Sequence, residues 1–418
     1  MKIAHIASSW IALPPQNYGG TEHVLAYLLE EQVAQGHDVT VFAPADAHTS
    51  ARQVSFFPRS LLSSGTPWLA HLKAYYHLHK AVSLLSRLQA EIVHLHLSSP
   101  SDMYLFPLLA SLSIPRLMTL HSCFPFDRID SWVGDADDYY LHEWANSMPM
   151  VAISEQARRC APAGLNFLGV VHHGLPMSRF PFSAQPPANY LAWLGRIAPA
   201  KGPHLAIEAA RRAGIRLLLA GRVSQHIQEE RRYFEEKIRP QLDGGQIRYL
   251  GPVDMAAKVE LLGRARALLN PIEWEEPFGM VMIEAMALGC PVISFSRGSA
   301  PELVASGCNG FLVENVEQMA QAIGMLGQVD RRQVRRYAEE HFSVQVMASK
   351  YLSLYRQVLA EQGPNSLQNL LPASHIFTEP LMLPSRLSYQ PSSQEPGAST
   401  GAISQTEKQQ VQWLDNLA

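Results

Sequence analysis

Cysteine is scarce in this chain. There are four in 418 residues (Cys123, Cys160, Cys290 and Cys308), and none forms a C-x-x-C pair. That argues for reduced thiols and a cytoplasmic chain rather than a disulfide framework. Cys290 follows a predicted helix and is expected in the core. No window approaches 18 uninterrupted apolar residues, so no membrane span is expected, while peripheral membrane contact stays open. The opening MKIAHIASSW has one lysine and a short apolar run. It enters a strand rather than a cleavable signal region. An excess of positive charge is missing too: 34 basic residues face 37 acidic ones, for a net charge of −3. Met1–Pro181 carries 11 basic and 14 acidic residues, and Phe182–Gly363 carries 21 and 19. Neither part suits nucleic acid as a partner. The G-x-G-x-x-G fingerprint is absent, which disfavours a dinucleotide-dependent oxidoreductase. What remains is 47% hydrophobic and 17% charged. A chain of this length and balance fits a soluble enzyme of two or three domains.

Along the chain, KIAHIAS reads as a buried strand. A Pro/Gly/Asn-rich loop ending in Gly19–Gly20 follows, then a helix TEHVLAYLLEEQVAQ with Val24, Leu25, Leu28, Leu29 and Val33 at helical spacing. HDVTVFA is the next strand. This βαβ opening predicts a parallel sheet. A helix over Trp68–Leu88, strand EIVHLH, a helix near Asp102–Leu112 and strand RLMTL continue it. MVAIS and VVHHG finish the first unit. The segment 175–189, within proline-rich Leu175–Tyr190, is taken as an interdomain connection. The pattern then restarts with strands YLAWLG, RLLLAG, IRYLG, ALLNP, PVISF and GFLVE. Helices are expected at Pro203–Ala213, Gln225–Arg239, Asp254–Ala265, Pro277–Leu288 and after Glu314. The expected division is 1–174, 190–340, and a helix within 341–363 returning to the first domain. A tail, 364–418, is rich in Ser, Pro and Gln and is expected to be disordered.

The stretch with most chemical content is NPIEWEEPFGMVMIEAMALGCPVISF (Asn270–Phe295). Pro277 suits a first helical position and Gly289 a helix stop. Glu276 then precedes the helix and Glu284 lies within it, about 12 Å further along the axis. Between them, free N–H groups near Phe278, Gly279, Met280 and Val281 offer an anion site. Carboxylate, anion site and carboxylate in a row suit a nucleotide sugar. An amphipathic helix with a capping acid and one solvated glutamate fits the same spacing.

Other positions carry similar alternatives. Gly19 and Gly20 let backbone approach an anion, or simply form a turn. GRIAPAKG supplies Arg196 and Lys201, which can neutralise a diphosphate or sit in a solvated loop. His121 ends a parallel strand, where open α/β sheets place ligands. His94 and His96 alternate onto one face as half of a metal site, with no third ligand evident. Asp135 and Asp137 form a short D-x-D, a carboxylate pair that can anchor a metal ion. Acidic loops before helices are also common.

EPFGMVMIEAMALGCPVI resembles the E-x7-E segment of retaining glycosyltransferases of the glycogen-synthase-like family 4, which have the GT-B fold. The resemblance runs from about Met1 to Ala360. YGGTE is similar to the loop closing over donor phosphates, and TLHS to a T-x-H whose histidine lies near the transferred sugar. GRIAPAKG matches the cationic GR…KG loop that holds the donor's phosphates. AGR at Ala220, and LGPV with Val253, resemble loops receiving the base. VVHHG resembles V-x-N-G, with histidine where asparagine is usual. The resemblance implies two Rossmann-like domains facing across a cleft. It implies sugar transfer from a nucleoside-diphosphate sugar, with retention and without a required metal or cofactor. His121, Glu276, Arg196 and Lys201 would act in catalysis. Gly19, Gly20, Arg196, Lys201, Val253, Glu276, Phe278, Gly279, Met280, Val281 and Glu284 would bind the UDP-, GDP- or ADP-sugar donor. The acceptor, whether carbohydrate, lipid or small molecule, is not identified. A phosphorylase or epimerase on the same fold, or a non-catalytic sugar-nucleotide-binding protein, is the alternative.

Overall fold

The computed structural model describes residues 1–361 except 16–18, 69, 111, 123–142, 145–147, 185–186 and 225–226. Asp135 and Asp137, Cys123 and the 364–418 tail therefore lie outside the described residues.

Two parallel sheets organise the chain. The first contains β1 (Lys2–Ile6), β2 (Asp38–Phe42), β3 (Arg52–Val54), β4 (Ile92–Leu97), β5 (Arg116–Leu120), β6 (Met150–Ala152) and β7 (Phe167–Val170). Their order is β3-β2-β1-β4-β5-β6-β7. The second contains β8 (Tyr190–Leu194), β9 (Arg216–Ala220), β10 (Ile247–Tyr249), β11 (Leu268–Asn270), β12 (Val292–Phe295) and β13 (Gly310–Val313). Its order is β10-β9-β8-β11-β12-β13. Buried on both faces, the strands read as apolar runs such as VISF and RLLLA. The strand order reverses between β1 and β4 in one sheet and between β8 and β11 in the other. Such switch points open a crevice at the carboxyl ends of the strands.

Several elements differ from the sequence expectation. The short edge strand β3 and the helix Arg331–Phe342 were not foreseen. VVHHG begins at the last residue of β7, so His172 and His173 lie in a loop. The helix expected at Asp102–Leu112 is a 3₁₀ turn, Pro100–Tyr104, running into Leu105–Ala110. Pro100 opens the turn and Asp102 completes its capping box with Ser99.

The last described helix, Val344–Glu361, packs on the first sheet. Its Met347, Tyr351, Tyr355 and Val358 bury against Ile3, Ile92, Leu117 and Val151 and against Val24 and Leu28 of the helix Gly20–Ala34. Side chains alternate along a strand. Ile3 therefore shares a face with His5, Ile92 with His94 and His96, and Leu117 with Thr119 and His121. These polar groups lie under the two helices, beside the apolar packing. Gly174 closes the dock: its N–H donates to Met347 Sδ at 3.2 Å. Met347→Ala is expected to destabilise the protein by about 2–5 kcal/mol, the range for truncating a buried methionine. Urea unfolding at neutral pH measures it, and an unchanged midpoint would contradict the docking.

Candidate active site

The second sheet contributes two facing loops at its switch point. One follows β8 and carries Arg196 and Lys201; the other follows β11 and carries Glu273–Phe278. Glu273 N–H donates to Ala200 O at 2.8 Å, which joins the loops through backbone. Gly202 makes that approach feasible. It has φ +64°, and a Cβ there would lie 1.9 Å from Pro271 O. As a result Lys201 Nζ meets Glu276 Oε2 directly. Trp274 completes the group: its Nε1 donates to Glu276 Oε2 at 3.0 Å, and Lys201 Nζ stands 4.9 Å from its ring centroid. The Lys201 and Glu276 side chains are each 14% exposed.

Arg196 is more deeply placed. Its Nη1 donates to Glu230 Oε1 at 2.6 Å, with both side chains buried. Glu284 accepts from Lys258 Nζ at 2.7 Å. Sequence reasoning missed Glu230, Lys258 and Trp274. Glu230 sits in the run QEERRY, which reads as a solvated helix face, and no local motif marks the other two.

The helix after Glu276 begins later than expected, at Met280, and ends at Ala287. Pro277 is not its first residue. Glu276 O accepts from Ser299 N–H at 2.9 Å, and Phe278 O accepts from Ser299 Oγ at 2.5 Å. Pro277 O accepts from Ser154 Oγ of the first unit, also at 2.5 Å. These bonds hold the segment extended. Gly279, at φ +82°, then turns the chain into the helix from the left-handed region. Phe278 is buried, while Met280 and Val281 are half-buried at the first turn. Val253 is half-buried in the loop after β10, and Gly221 N–H donates to Gly251 O at 2.9 Å beside it.

From the first sheet, Gly19 (φ +139°) caps the helix Gly20–Ala34. A Cβ on Gly19 would lie 2.6 Å from Glu22 Oε2, whereas one on Gly20 meets open space. Burial pushes the Glu22 carboxyl up to about 7, with the Asp102 charge adding to the shift. At the next residue, burial lowers His23 to about 4, and the charges of Lys258 and Arg179 lower it further. That places the glycine loop's helix opposite the Lys258–Glu284 pair. His121 lies just past β5, buried, with its ring 5.4 Å from His173. His173 in turn stands edge-on to Phe278 at 4.7 Å. The structure thus connects His121 to the start of the second unit's helix through one intervening ring.

His94 and His96 do have a third partner. β1 pairs with β4 so that His5 lies beside His94, and ligating nitrogens of His5, His94 and His96 fall within 4.8 Å of one another. The sequence could not reveal this, because His5 is 89 residues from His94. All three rings are already engaged. His5 Nδ1 meets His96 Nε2 at 3.0 Å, and His5 Nε2 meets Gln32 Oε1 at 2.8 Å. His94 bonds Tyr355 OH and Thr119 Oγ1, and His96 Nδ1 meets His121 Nε2 at 2.9 Å.

Comparison with known proteins agrees with this architecture. The model of the "Glycosyl transferases group 1" family matches residues 178–341, and that of "Glycosyltransferase Family 4" matches residues 18–179. The chain belongs to these glycosyltransferases. A glycogen synthase of Mycobacterium tuberculosis is 25% identical over 415 residues, covering 87% of this chain and 96% of that protein. Sucrose-phosphate synthase from Thermosynechococcus elongatus is 21% identical and superposes with a TM-score of 0.68 over 86% of this chain and 99% of its own. The Anabaena HepE structure with UDP and glucose is 17% identical, with a TM-score of 0.61 over 85% and 100%. These neighbours establish the GT-B fold. Among the described residues, no helix of the glycosyltransferase is long and apolar enough to cross a membrane.

The buried histidines give the glycosyltransferase a defined response to acid. Burial lowers His5 to about 4 and His121 to about 3. It also takes His94, His96 and His173 well below 6.5, with neighbouring histidines adding to the effect. Unfolded histidine titrates near 6.5, so the unfolded chain binds more protons between about pH 6.5 and 4. Stability is therefore full above pH 6.5 and falls as pH drops towards 4. Glu22, and Asp102 raised by burial to about 6, oppose this trend. They are outnumbered by the histidines. The urea midpoint is expected to be lower at pH 5 than at pH 7.5, and an equal or higher midpoint at pH 5 would contradict the neutral cluster.

Proposed function

We propose that this glycosyltransferase moves a sugar from a nucleoside-diphosphate sugar to an acceptor, with retention of anomeric configuration. The observation that carries the reading is the Lys201–Glu276 pair, a cation and a carboxylate brought together from two strand-end loops at the switch point. Before donor arrives, each carboxylate neutralises a cation: Glu276 on Lys201, Glu230 on Arg196 and Glu284 on Lys258. The donor's diphosphate takes over from Glu276 as the partner of Lys201. Arg196, held by Glu230, adds a second fixed charge. Together with the free N–H groups from Gly279 to Val281, these cations stabilise the departing diphosphate as its bond to the anomeric carbon breaks. The released Glu276 faces the sugar and responds to its developing positive charge. Glu284, one to two turns into the helix, accepts from ribose hydroxyls. His121 bounds the sugar from the first sheet, and Gly19 and Gly20 let the opposing backbone close on the phosphates. No step in this scheme uses a metal. The base of the donor meets backbone near Val253, which leaves UDP, GDP and ADP as candidates.

Two sets of variants test this. Arg196→Ala and Lys201→Ala are each expected to lower transfer by about 2.7–4 kcal/mol of transition-state stabilisation, the usual loss for one oriented electrostatic group. Wild-type kinetics in both, with folding intact, would remove them from the site.

The two glutamates separate in a different way. Glu284→Gln should weaken calorimetric binding of the free nucleoside diphosphate and the full donor alike, because both contain ribose. Glu276→Gln should leave free diphosphate binding intact or tighter, since it frees Lys201, while lowering turnover. If Glu276→Gln weakened diphosphate binding as much as Glu284→Gln, the proposed donor orientation would be wrong. Running UDP, GDP and ADP in parallel identifies the base.

A further inference from the structure

His121 is bonded into a chain of side chains that the reaction above leaves unused. The chain starts on two helices. Gln32, in the helix Gly20–Ala34, donates from Nε2 to Tyr355 OH at 3.1 Å. Its Oε1 therefore faces His5 Nε2, at 2.8 Å, as an acceptor. An acceptor there requires the His5 proton on Nε2. A neutral imidazole carries one N–H, so His5 Nδ1 is bare. It accepts from His96 Nε2 at 3.0 Å. By the same rule His96 Nδ1 is bare and accepts from His121 Nε2 at 2.9 Å. The His121 proton is thus on Nε2, and its Nδ1 is an acceptor. That Nδ1 is buried and has no hydrogen-bond partner among the described residues.

A branch of the network is consistent with the same direction. Tyr355 OH, having accepted from Gln32, donates to His94 Nδ1 at 2.6 Å. His94 Nε2 then donates to Thr119 Oγ1 at 2.7 Å, and Thr119 Oγ1 donates to Tyr351 OH at 3.0 Å. No donor meets a donor anywhere along either branch. Burial keeps the rings neutral, which is the condition the counting needs. The opposite polarity requires the Gln32 amide to be reversed and every proton in both branches moved together.

We propose that Gln32, His5 and His96 are positioning residues for His121, holding its proton on Nε2 so that Nδ1 accepts a hydroxyl of the transferred sugar. The inference rests on the functional reading given above and adds to it the residues that set the polarity of the sugar contact. A buried acceptor without a partner is costly, and a sugar hydroxyl that satisfies it is correspondingly favoured. The His121 ring reaches the helix start through His173 and Phe278, the region assigned to the donor sugar.

The test uses the full chain labelled with ¹⁵N-histidine. Long-range ¹H–¹⁵N spectra distinguish Nε2–H from Nδ1–H tautomers, and the His121→Gln spectrum assigns the signal. His121 is expected as Nε2–H in the wild type. Gln32→Met removes the acceptor that sets the direction. It should leave His121 as a tautomer mixture and lower kcat/KM by about tenfold, the loss of one oriented hydrogen bond, with nucleoside-diphosphate affinity unchanged. If Gln32→Met does not fold, Tyr355→Phe removes the anchor of the Gln32 amide, together with the hydrogen bond to His94 Nδ1, leaves His5, His96 and their mutual bonds in place, and should act in the same direction. A wild-type Nδ1–H signal overturns the proposal. So does a variant in which kcat/KM and diphosphate affinity fall together, as a purely structural role would produce. Stoichiometric zinc uptake that removes the His96 Nε2–H signal overturns it in favour of a metal at His5, His94 and His96. A wild type that turns over no nucleotide sugar overturns the functional reading instead, and is seen before any variant is made.

Discussion

Every strand pairing among the described residues is parallel, and that constraint organises the rest of the molecule. A parallel neighbour cannot be reached by a tight turn, so the chain must cross back over the sheet each time. All loops at the carboxyl ends therefore gather on one edge. Where the strand order reverses, adjacent loops diverge and leave a crevice. Glu276 is 75 residues from Lys201, yet one backbone bond from Glu273 to Ala200 brings their loops together. The final helix extends the same logic. By packing beside the helix Gly20–Ala34, it returns the chain from the second unit to the first sheet.

Charge in the crevice is handled by pairing. Arg196 and Glu230 are nearly removed from solvent, where an isolated charge would be expensive. Lys201 and Glu276 remain partly exposed, which makes their contact easier to exchange for a ligand's. In the proposed reaction this difference in burial would give different tasks to two cations that look alike in the sequence: Arg196 would keep its partner and Lys201 would exchange it. The crossing between units is similarly polar. Glu302 accepts from the backbone N–H groups of Glu155 and Gln156 at 2.7 and 2.8 Å and from His172 Nε2 at 3.1 Å. A carboxylate from the second unit thus caps a helix of the first.

The fold was legible because its signals are local and repeated. Apolar strands alternating with amphipathic helices specify a parallel sheet without long-range information. The glycine loop, the GR…KG loop and the E-x7-E stretch were legible as dense short motifs. What escaped had a different physical origin. The helix start moved from Pro277 to Met280 because Ser154 and Ser299, distant in sequence, hold the preceding carbonyls. Glu230 and Lys258 read as surface charges until the fold supplies Arg196 and Glu284 as partners. His5 lies in a strand that reads as plain core, and only the β1–β4 register sets it beside His94.

That register also explains why so polar a cluster survives inside a sheet. Burying an imidazole without a partner is unfavourable, so a lone histidine under the final helix would be selected against on stability grounds. Three adjacent strands contribute His5, His94 and His96, Thr119 and His121 to one face, and the covering helices supply Gln32, Tyr351 and Tyr355. Each ring then finds partners on both sides, and the cost per group falls as the network closes. Among the described residues of this network, the ring nitrogen left without a partner is His121 Nδ1. A network that satisfied itself completely would need no ligand. This one leaves an unmet acceptor on His121, whose ring reaches the start of the helix Met280–Ala287 through His173 and Phe278.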